Sequence, residues 1–182
     1  MSAQERESGG AAGEADASRL RETLAPDVAD VAANMRWLRD REQLKMLYQR
    51  YAFGVDSRNF EIVRSVFHPD CRVSGTLEEG ALDPYLEGIE EGLQQWEATM
   101  HFMGNQYVEI DGDRGHVETW VVGYHMEAEG SPIDHVILGL RYQDDVVRVA
   151  DDWKIIRRNT VKQWHTGPFP RPTLGPPSYP RR

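Results

Sequence analysis

The sequence contains a single cysteine, Cys71, among its 182 residues. One thiol cannot form an intrachain disulfide or a cluster of thiolate metal ligands, so neither a disulfide-rich secreted scaffold nor a zinc-finger type of domain is expected. Long apolar runs are missing as well, because nowhere do about 18 consecutive apolar residues occur, the length that a membrane-spanning helix needs. We therefore expect a protein of the reducing cytoplasm that does not enter a membrane.

Basic residues are also too few for some classes of protein. The chain has 21 Lys and Arg against 30 Asp and Glu, which gives a formal net charge of -9. A nucleic-acid partner requires a basic surface that neutralises phosphates, so no such partner is expected. The first residues lack the basic start and apolar run of a signal peptide, and secretion is not expected either.

Composition divides the chain into three parts. Residues 1–25 are rich in Ala, Gly, Ser and Glu without hydrophobic periodicity, which predicts a disordered N-terminal segment. Residues 167–182 are rich in proline, which predicts an extended tail. Residues 26–166 remain for one domain, long enough to enclose a core and a small-molecule cavity.

Apolar residues at helical spacing predict three helices in the first half. Asp40 and Gln43 resemble a capping box before the first helix, and Asn59 caps the second, which His68-Pro69 ends. Asp83-Pro84 opens the third. The predicted buried faces are Leu44, Leu47, Tyr48, Tyr51 and Val55; then Phe60, Val63 and Phe67; then Leu86, Ile89, Leu93 and Trp96.

The second half predicts strands. The segments HFMGNQYVEI, GHVETWVVGYHMEAEG, DHVILGLRYQDDVVRVA and DWKIIRRNTVKQW are rich in β-branched and aromatic residues, with short turn sequences between them. Turns this short suit antiparallel neighbours. We therefore predict an α+β fold in which three N-terminal helices pack in a curved, mostly antiparallel sheet that forms a cone-shaped barrel with an internal pocket.

The order of several short motifs resembles a known family. These motifs are G-V-D at the end of the first helix, F-H-P-D after the second, M-H-F-M-G-N at a strand start and D-D-W-K-I-I-R-R in the last strand. Together they resemble the SnoaL-like enzyme branch of the nuclear transport factor 2 superfamily, which includes scytalone dehydratase, bile-acid 7α-dehydratase and hexachlorocyclohexane dehydrochlorinase. The resemblance covers about residues 35–165.

This resemblance implies a catalytic pair of Asp56 and His101, with Tyr51 and Arg158 beside it and no metal or organic cofactor. A neutral histidine accepts a proton near neutral pH, and a carboxylate on its other nitrogen fixes the tautomer. Tyr51 can donate to a departing hydroxyl, and Arg158 can hold an anion or a carbonyl oxygen. From the residues alone, Asp56 could instead cap a turn, and His101 and Tyr51 could simply be core residues. Strand alternation also does not decide whether Arg157 or Arg158 points inward.

Further residues are candidates for contact with a substrate. His125 shares its strand parity with Val117, Thr119 and Val121, which predicts an inward side chain. Asn105 either presents its amide to substrate or closes a bulge. No HxH or HExxH spacing occurs, so no metal site is expected. The complete set of candidate substrate-binding residues is His125, Asn105, Phe102, Trp120, Val73 and Tyr48.

The predicted activity is that of a cofactor-independent lyase, a dehydratase or dehydrohalogenase acting on an apolar cyclic or polycyclic small molecule. The same proton transfers would serve an isomerase or a polyketide cyclase, and the fold also serves as a binding module without catalysis. An apolar outer sheet face predicts a homo-oligomer. The resemblance implies a trimer, with a dimer as the alternative.

Overall fold

The computed structural model describes residues 30–75, 79–127 and 135–166. The predicted N-terminal segment and proline-rich tail lie outside the described residues. The described residues fall into two units, which divide between Arg41 and Glu42.

Helix α1 spans Val31–Asp56. In the first unit, the Asp30 carboxylate caps its start by accepting a hydrogen bond of 2.8 Å from the Ala33 N–H. The helix thus begins well before the predicted capping box at Asp40, and Gln43 instead donates its amide to the Asp151 carbonyl oxygen at 3.1 Å. In the second unit the predicted apolar face is buried, comprising Leu44, Leu47, Tyr48, Tyr51 and Val55.

Two shorter helices follow. Helix α2, Phe60–Ser65, begins where the Asn59 side chain accepts a hydrogen bond of 3.2 Å from the Ile62 N–H, as its capping position predicts. Helix α3 covers Leu82–Leu93 and buries Leu82, Tyr85, Leu86 and Leu93. Trp96 is buried as predicted, but it lies in the connection after the helix.

A six-stranded mixed sheet makes up the rest of the described chain. Its strands are β1 (Phe67–Ser74), β2 (Gly80–Ala81), β3 (Ala98–Asp111), β4 (Arg114–Met126), β5 (Val136–Val149) and β6 (Asp152–His165). The order is β2-β1-β6-β5-β4-β3, with antiparallel neighbours except for the parallel pair β1 and β6. The α+β class is confirmed, and strands β3 to β6 correspond to the four predicted ones.

The sheet of the predicted cone-shaped barrel is open. Strands β2 and β3 end the sheet on opposite sides and do not pair with each other. Strand β1 is not predicted from the sequence, because F-H-P-D is expected to end a helix and instead begins a strand. Its pairing with β6 shifts between Phe67 and Arg72, around Pro69, which has no N–H to give to a ladder.

The helix faces and one face of the sheet enclose the core. Strand β5 shows the alternation most clearly, because Leu138, Leu140, Tyr142, Asp144 and Val146 are all buried. Within the described residues, no helix is long and apolar enough to cross a membrane.

Candidate active site

Asp56 and His101 meet where helix α1 ends against edge strand β3. The Asp56 Oδ1 atom lies 2.6 Å from His101 Nδ1 and accepts a 3.0 Å hydrogen bond from the Thr99 hydroxyl. The Oδ2 atom accepts a 2.7 Å hydrogen bond from the backbone N–H of His101. One carboxylate therefore holds both the ring and the backbone of the histidine.

This arrangement lowers the pKa of Asp56 and selects one tautomer of His101. Burial raises the pKa of Asp56, but the hydrogen bonds from His101 and Thr99 and the His101 charge outweigh burial, so its pKa lies below the ordinary value. An ionised carboxylate at Nδ1 favours the tautomer with the proton on Nδ1. The Nε2 atom is then the acceptor nitrogen, and within the described residues it has no hydrogen-bond partner.

His125 forms the second imidazole of the site. Its strand partner is Thr99, and Gly123 lies opposite His101, so the two rings approach edge to face with centroids 5.7 Å apart. Trp96 packs on the other side of His125, with centroids 5.3 Å apart. Burial and the neighbouring His101 lower the pKa of His125 to about 4, so this ring is neutral at ordinary pH.

Two further features near the histidines concern hydrogen bonding to a ligand and metal binding. The buried Nδ1 atom of His125 has no hydrogen-bond partner within the described residues. In the same part of the chain, no group of three His, Cys, Asp or Glu side chains is placed to hold a metal ion.

A second cluster surrounds Arg158, which is fully buried. Its Nε and Nη2 atoms donate to the Asp144 carboxylate, the shortest contact being 2.7 Å, and Tyr48 donates to the same carboxylate at 2.8 Å. Burial lowers the pKa of Arg158, but the charge and hydrogen bonds of Asp144, together with Tyr85 and Tyr51, outweigh burial and hold that pKa well above its ordinary value, so the guanidinium stays ionised. Arg157 is exposed and pairs with Asp145, so Arg158 is the buried one of the two arginines.

Aromatic rings enclose this guanidinium. Its carbon lies 4.4 Å from the ring centroid of Tyr51 and 4.1 Å from that of Tyr142. The Tyr51 hydroxyl is 3.4 Å from that of Tyr85 on α3. Burial raises the pKa of Tyr51, so this phenol is a donor rather than a base. The buried Nη1 atom of Arg158 has no hydrogen-bond partner within the described residues.

The predicted catalytic residues therefore fall into two groups. Asp56 and His101 touch each other, whereas the ring and hydroxyl contacts of Tyr51 are with Tyr85, Phe67, Tyr142 and Arg158. Helix α1 links the groups, because Tyr51 and Asp56 are five residues apart, which is about 7.5 Å along a helix.

Sequence reasoning did not single out Asp144 or Tyr85. A signal for each was present: Asp144 follows the inward alternation of β5, and Tyr85 shares the apolar spacing of Leu82, Leu86 and Ile89.

The remaining substrate-binding candidates differ in where they lie. Tyr48 and Val73 are buried, and Val73 is the strand partner of Arg158. Asn105 is exposed at the irregularity of β3 between Met103 and Gln106, in keeping with the bulge alternative.

Phe102 and Trp120 need correction as candidates for a pocket inside one chain. Their side chains are 63% and 42% exposed, because they neighbour the inward His101 and Val121 and alternation turns them to the opposite sheet face.

Comparison with protein families identifies the fold family. A family model described as the SnoaL-like domain matches residues 36–159. The chain belongs to this family, which confirms the resemblance in the sequence. An uncharacterized protein of Mycobacterium tuberculosis is 31% identical over 128 residues, which cover 68% of this chain and 85% of that protein.

Solved structures show the same fold. A candidate scytalone dehydratase from Novosphingobium aromaticivorans superposes with a TM-score of 0.69 at 24% identity, covering 79% of this chain and 97% of that one. A hexachlorocyclohexane dehydrochlorinase from Novosphingobium barchaimii superposes with a TM-score of 0.62 at 17% identity, covering 76% and 97%. At these identities the likeness is one of fold.

Proposed function

We propose that this protein is a cofactor-independent lyase, of the dehydratase or dehydrohalogenase type, that acts on an apolar cyclic or polycyclic small molecule. The observation that carries the proposal is the Asp56–His101 pair, in which the carboxylate occupies Nδ1 and leaves Nε2 without a partner among the described residues. The lyase-type names of two structural neighbours support the reaction class.

In the proposed reaction, His101 Nε2 removes a proton from a carbon of the substrate. The electron pair of that C–H bond forms a double bond to the adjacent carbon, and hydroxide or halide leaves from there with the electrons of its own bond. Asp56 stabilises the imidazolium by accepting from Nδ1–H. A departing hydroxide takes up a proton from the Tyr51 hydroxyl to become water, and the proton held on His101 is then returned to Tyr51 through solvent. When halide departs, His101 releases its proton to solvent.

The Arg158 cluster has a separate role in this proposal. Tyr51 is the donor that we assign to a departing hydroxyl, since its raised pKa keeps it protonated. Arg158 orients an oxygen or halogen of the substrate through Nη1. Because Asp144 already neutralises its charge, this end of the site favours an uncharged group over a carboxylate.

The lyase proposal is tested by product mass. Purified protein is incubated with small-molecule extracts, and compounds that are consumed are identified by mass spectrometry and then assayed singly. We expect a product lighter by water or hydrogen halide, and a rate about 10² to 10⁴ times lower in His101→Ala. The matched control is His135→Ala, at an exposed histidine, with an unchanged rate.

Two outcomes would contradict the proposal. A product of unchanged mass would indicate the isomerase or cyclase alternative. Binding of a compound without turnover, and with the same affinity in His101→Ala, would indicate a non-catalytic binding module.

We also propose that the protein forms a homo-oligomer through the outer face of its sheet, with a trimer favoured and a dimer as the alternative. Phe102, Val122, Gly139 and Trp164 are successive strand partners across β3, β4, β5 and β6. Gly139 has room only for hydrogen, because a Cβ there would lie 2.2 Å from the Trp164 ring. The indole therefore lies against the sheet and continues an apolar row that a second copy can cover.

A further inference from the structure

Arg58 occupies a backbone position that normally suits glycine. Helix α1 ends in a Schellman motif, in which the Asn59 N–H donates to the Gly54 carbonyl oxygen at 2.8 Å and the Arg58 N–H donates to that of Val55 at 3.1 Å. The first residue after the helix in this motif takes a left-handed conformation. That residue is Arg58, with φ 56°. A side chain is disfavoured there, so its presence calls for a reason beyond ending the helix.

The guanidinium group of Arg58 supplies that reason. Its Nη2 atom donates to the Trp96 carbonyl oxygen and, at 3.3 Å, to the Glu97 carbonyl oxygen. These carbonyls lie just before Thr99 and His101 on β3. The arginine thus bridges the turn after Asp56 and the segment that carries Thr99 and His101, the two residues that donate hydrogen bonds to Asp56.

We propose that Arg58 is a positioning residue for the Asp56–His101 pair. The Glu97 N–H donates to the Met126 carbonyl oxygen at 2.9 Å, which holds the start of β3 to the sheet but not to α1. Among hydrogen bonds of the described residues, the other ties from α1 and its C-terminal turn to residues 96–101 are those that Thr99 and His101 make with Asp56 itself. Without the Arg58 contacts, the hydrogen bonds of Asp56 with Thr99 and His101 would be the remaining hydrogen bonds, among the described residues, that hold the start of β3 against the end of α1.

The same contact extends to the second imidazole. Trp96, whose carbonyl oxygen accepts from Arg58, packs its ring against His125. Loss of the Arg58 contact should therefore also loosen the packing beside His125.

The test compares two glycine substitutions that relieve the same backbone conformation. Arg58→Gly removes the left-handed side chain and the guanidinium together. Ala150→Gly is the matched control, because Ala150 has φ 55° in the exposed turn between β5 and β6. Histidine labelled with ¹⁵N reports the Nδ1–H proton of His101, assigned with a His101→Gln variant, and ¹³C NMR reports the titration of Asp56.

In Ala150→Gly we expect the melting temperature to stay within about 2 °C of wild type or rise, with the His101 Nδ1–H signal unchanged. In Arg58→Gly we expect that signal to broaden or shift upfield at temperatures where the protein is fully folded. The pKa of Asp56 should rise towards its ordinary value. Arg58→Ala should change both signals in the same way at a lower melting temperature, because it keeps the positive φ.

An unchanged Nδ1–H signal and an unchanged Asp56 titration in folded Arg58→Gly would overturn the inference, whatever the melting temperature does. The inference rests on the proposed role of Asp56 and His101. Its readout is the hydrogen bond itself rather than turnover, so it can fail while the lyase proposal stands, and it can hold if the reaction proves to be an isomerisation.

Discussion

Asp56 shows how a single residue can be assigned by where its hydrogen bonds go. A carboxylate at the end of a helix often caps the following turn. Here the backbone N–H groups of Ser57, Arg58 and Asn59 donate to carbonyl oxygens of Phe53, Val55 and Gly54. The Asp56 carboxylate is therefore left for Thr99 and His101, which is the arrangement that an acid-base pair needs.

The two imidazoles differ because only one of them has a carboxylate. His101 bonds to Asp56, whereas His125 is buried against Trp96, and its Nδ1 atom has no hydrogen-bond partner in the part of the chain that the structure describes. Burial and the nearby His101 hold the pKa of His125 at about 4. A neutral His125 adds no charge beside His101, so it can accept or donate a hydrogen bond without competing for the proton that His101 takes.

The lowered pKa of His125 predicts a pH dependence of stability. In the unfolded chain this histidine binds a proton near its ordinary pKa of about 6.5, but in the folded chain only near pH 4. The contribution of neutral His125 to the free energy of unfolding is complete above about pH 6.5. It falls by about 3 kcal/mol as the pH falls from about 6.5 to 4. Urea unfolding of His125→Gln should therefore show a flatter stability curve in this window than wild type.

The exposed His135→Gln is the control for this comparison and should keep the wild-type slope. Asp56, whose folded pKa is depressed, acts in a separate window, because its contribution is lost only below its ordinary value. Equal slopes for wild type and His125→Gln between pH 6.5 and 4 would show that His125 gains its proton without cost in the folded protein.

At the scale of elements, periodic segments were predictable and irregular ones were not. The sequence patterns locate β3 to β6 and the buried face of α1, because each has a regular alternation or a helical spacing. Strand β1 escapes this reasoning, since Pro69 and the charged Asp70 and Arg72 interrupt its pattern and its partner β6 is remote in sequence. Whether a sheet closes depends on such remote pairings, and the periodicity of each segment does not reveal them.

The candidate site divides in the same way. Motif resemblance points to Asp56, His101 and Arg158, which lie at the ends or in the alternation of regular elements. It does not point to Asp144, although a buried arginine without a carboxylate would be very costly. The partner sits in the acidic pair of Y-Q-D-D-V, which on composition alone is typical of a solvated strand.

The end of β1 allows a sharp test of strand packing. Gly75 and Gly112 both have left-handed φ values, 72° and 58°, but a Cβ at Gly75 would lie 2.2 Å from the Thr160 carbonyl oxygen. A Cβ at Gly112 would meet nothing within 4 Å. We expect Gly112→Ala to destabilise by about 1 kcal/mol, the cost of conformation alone, and Gly75→Ala by about 3 kcal/mol or more.

Thermal and urea unfolding of both variants measure the difference. Because the two substitutions share their backbone cost, the excess in Gly75→Ala reports the close approach of the chain to β6. Equal losses in the two variants would mean that the β1 end moves away from β6 at little cost, and that the parallel pairing does not fix this end of the sheet.

At the scale of the whole molecule, the outer sheet face combines an apolar row with paired charges. The net charge of -9 opposes association of two copies. On this face, however, Arg141 pairs with Glu118 and Arg157 pairs with Asp145, so its charges are largely compensated. Phe102 and Trp164 lie in the register row of Gly139, two residues along β5 from Arg141 of the first pair. A second copy can therefore approach here with less repulsion than the net charge suggests.

This reasoning predicts which exposed phenylalanine holds the oligomer together. Phe102 on the outer sheet face and Phe53 on α1 are equally exposed, at 63% and 64%. We expect light scattering of the wild-type protein to give a multiple of the 20.8 kDa chain mass. Phe102→Glu should give the monomer mass, because it places an unpaired charge in the apolar row, while Phe53→Glu should leave the oligomer intact.

A wild-type monomer at micromolar concentration, or dissociation by Phe53→Glu rather than by Phe102→Glu, would contradict assembly through the sheet. Turnover that falls only in Phe102→Glu would further indicate that the site needs the assembled form.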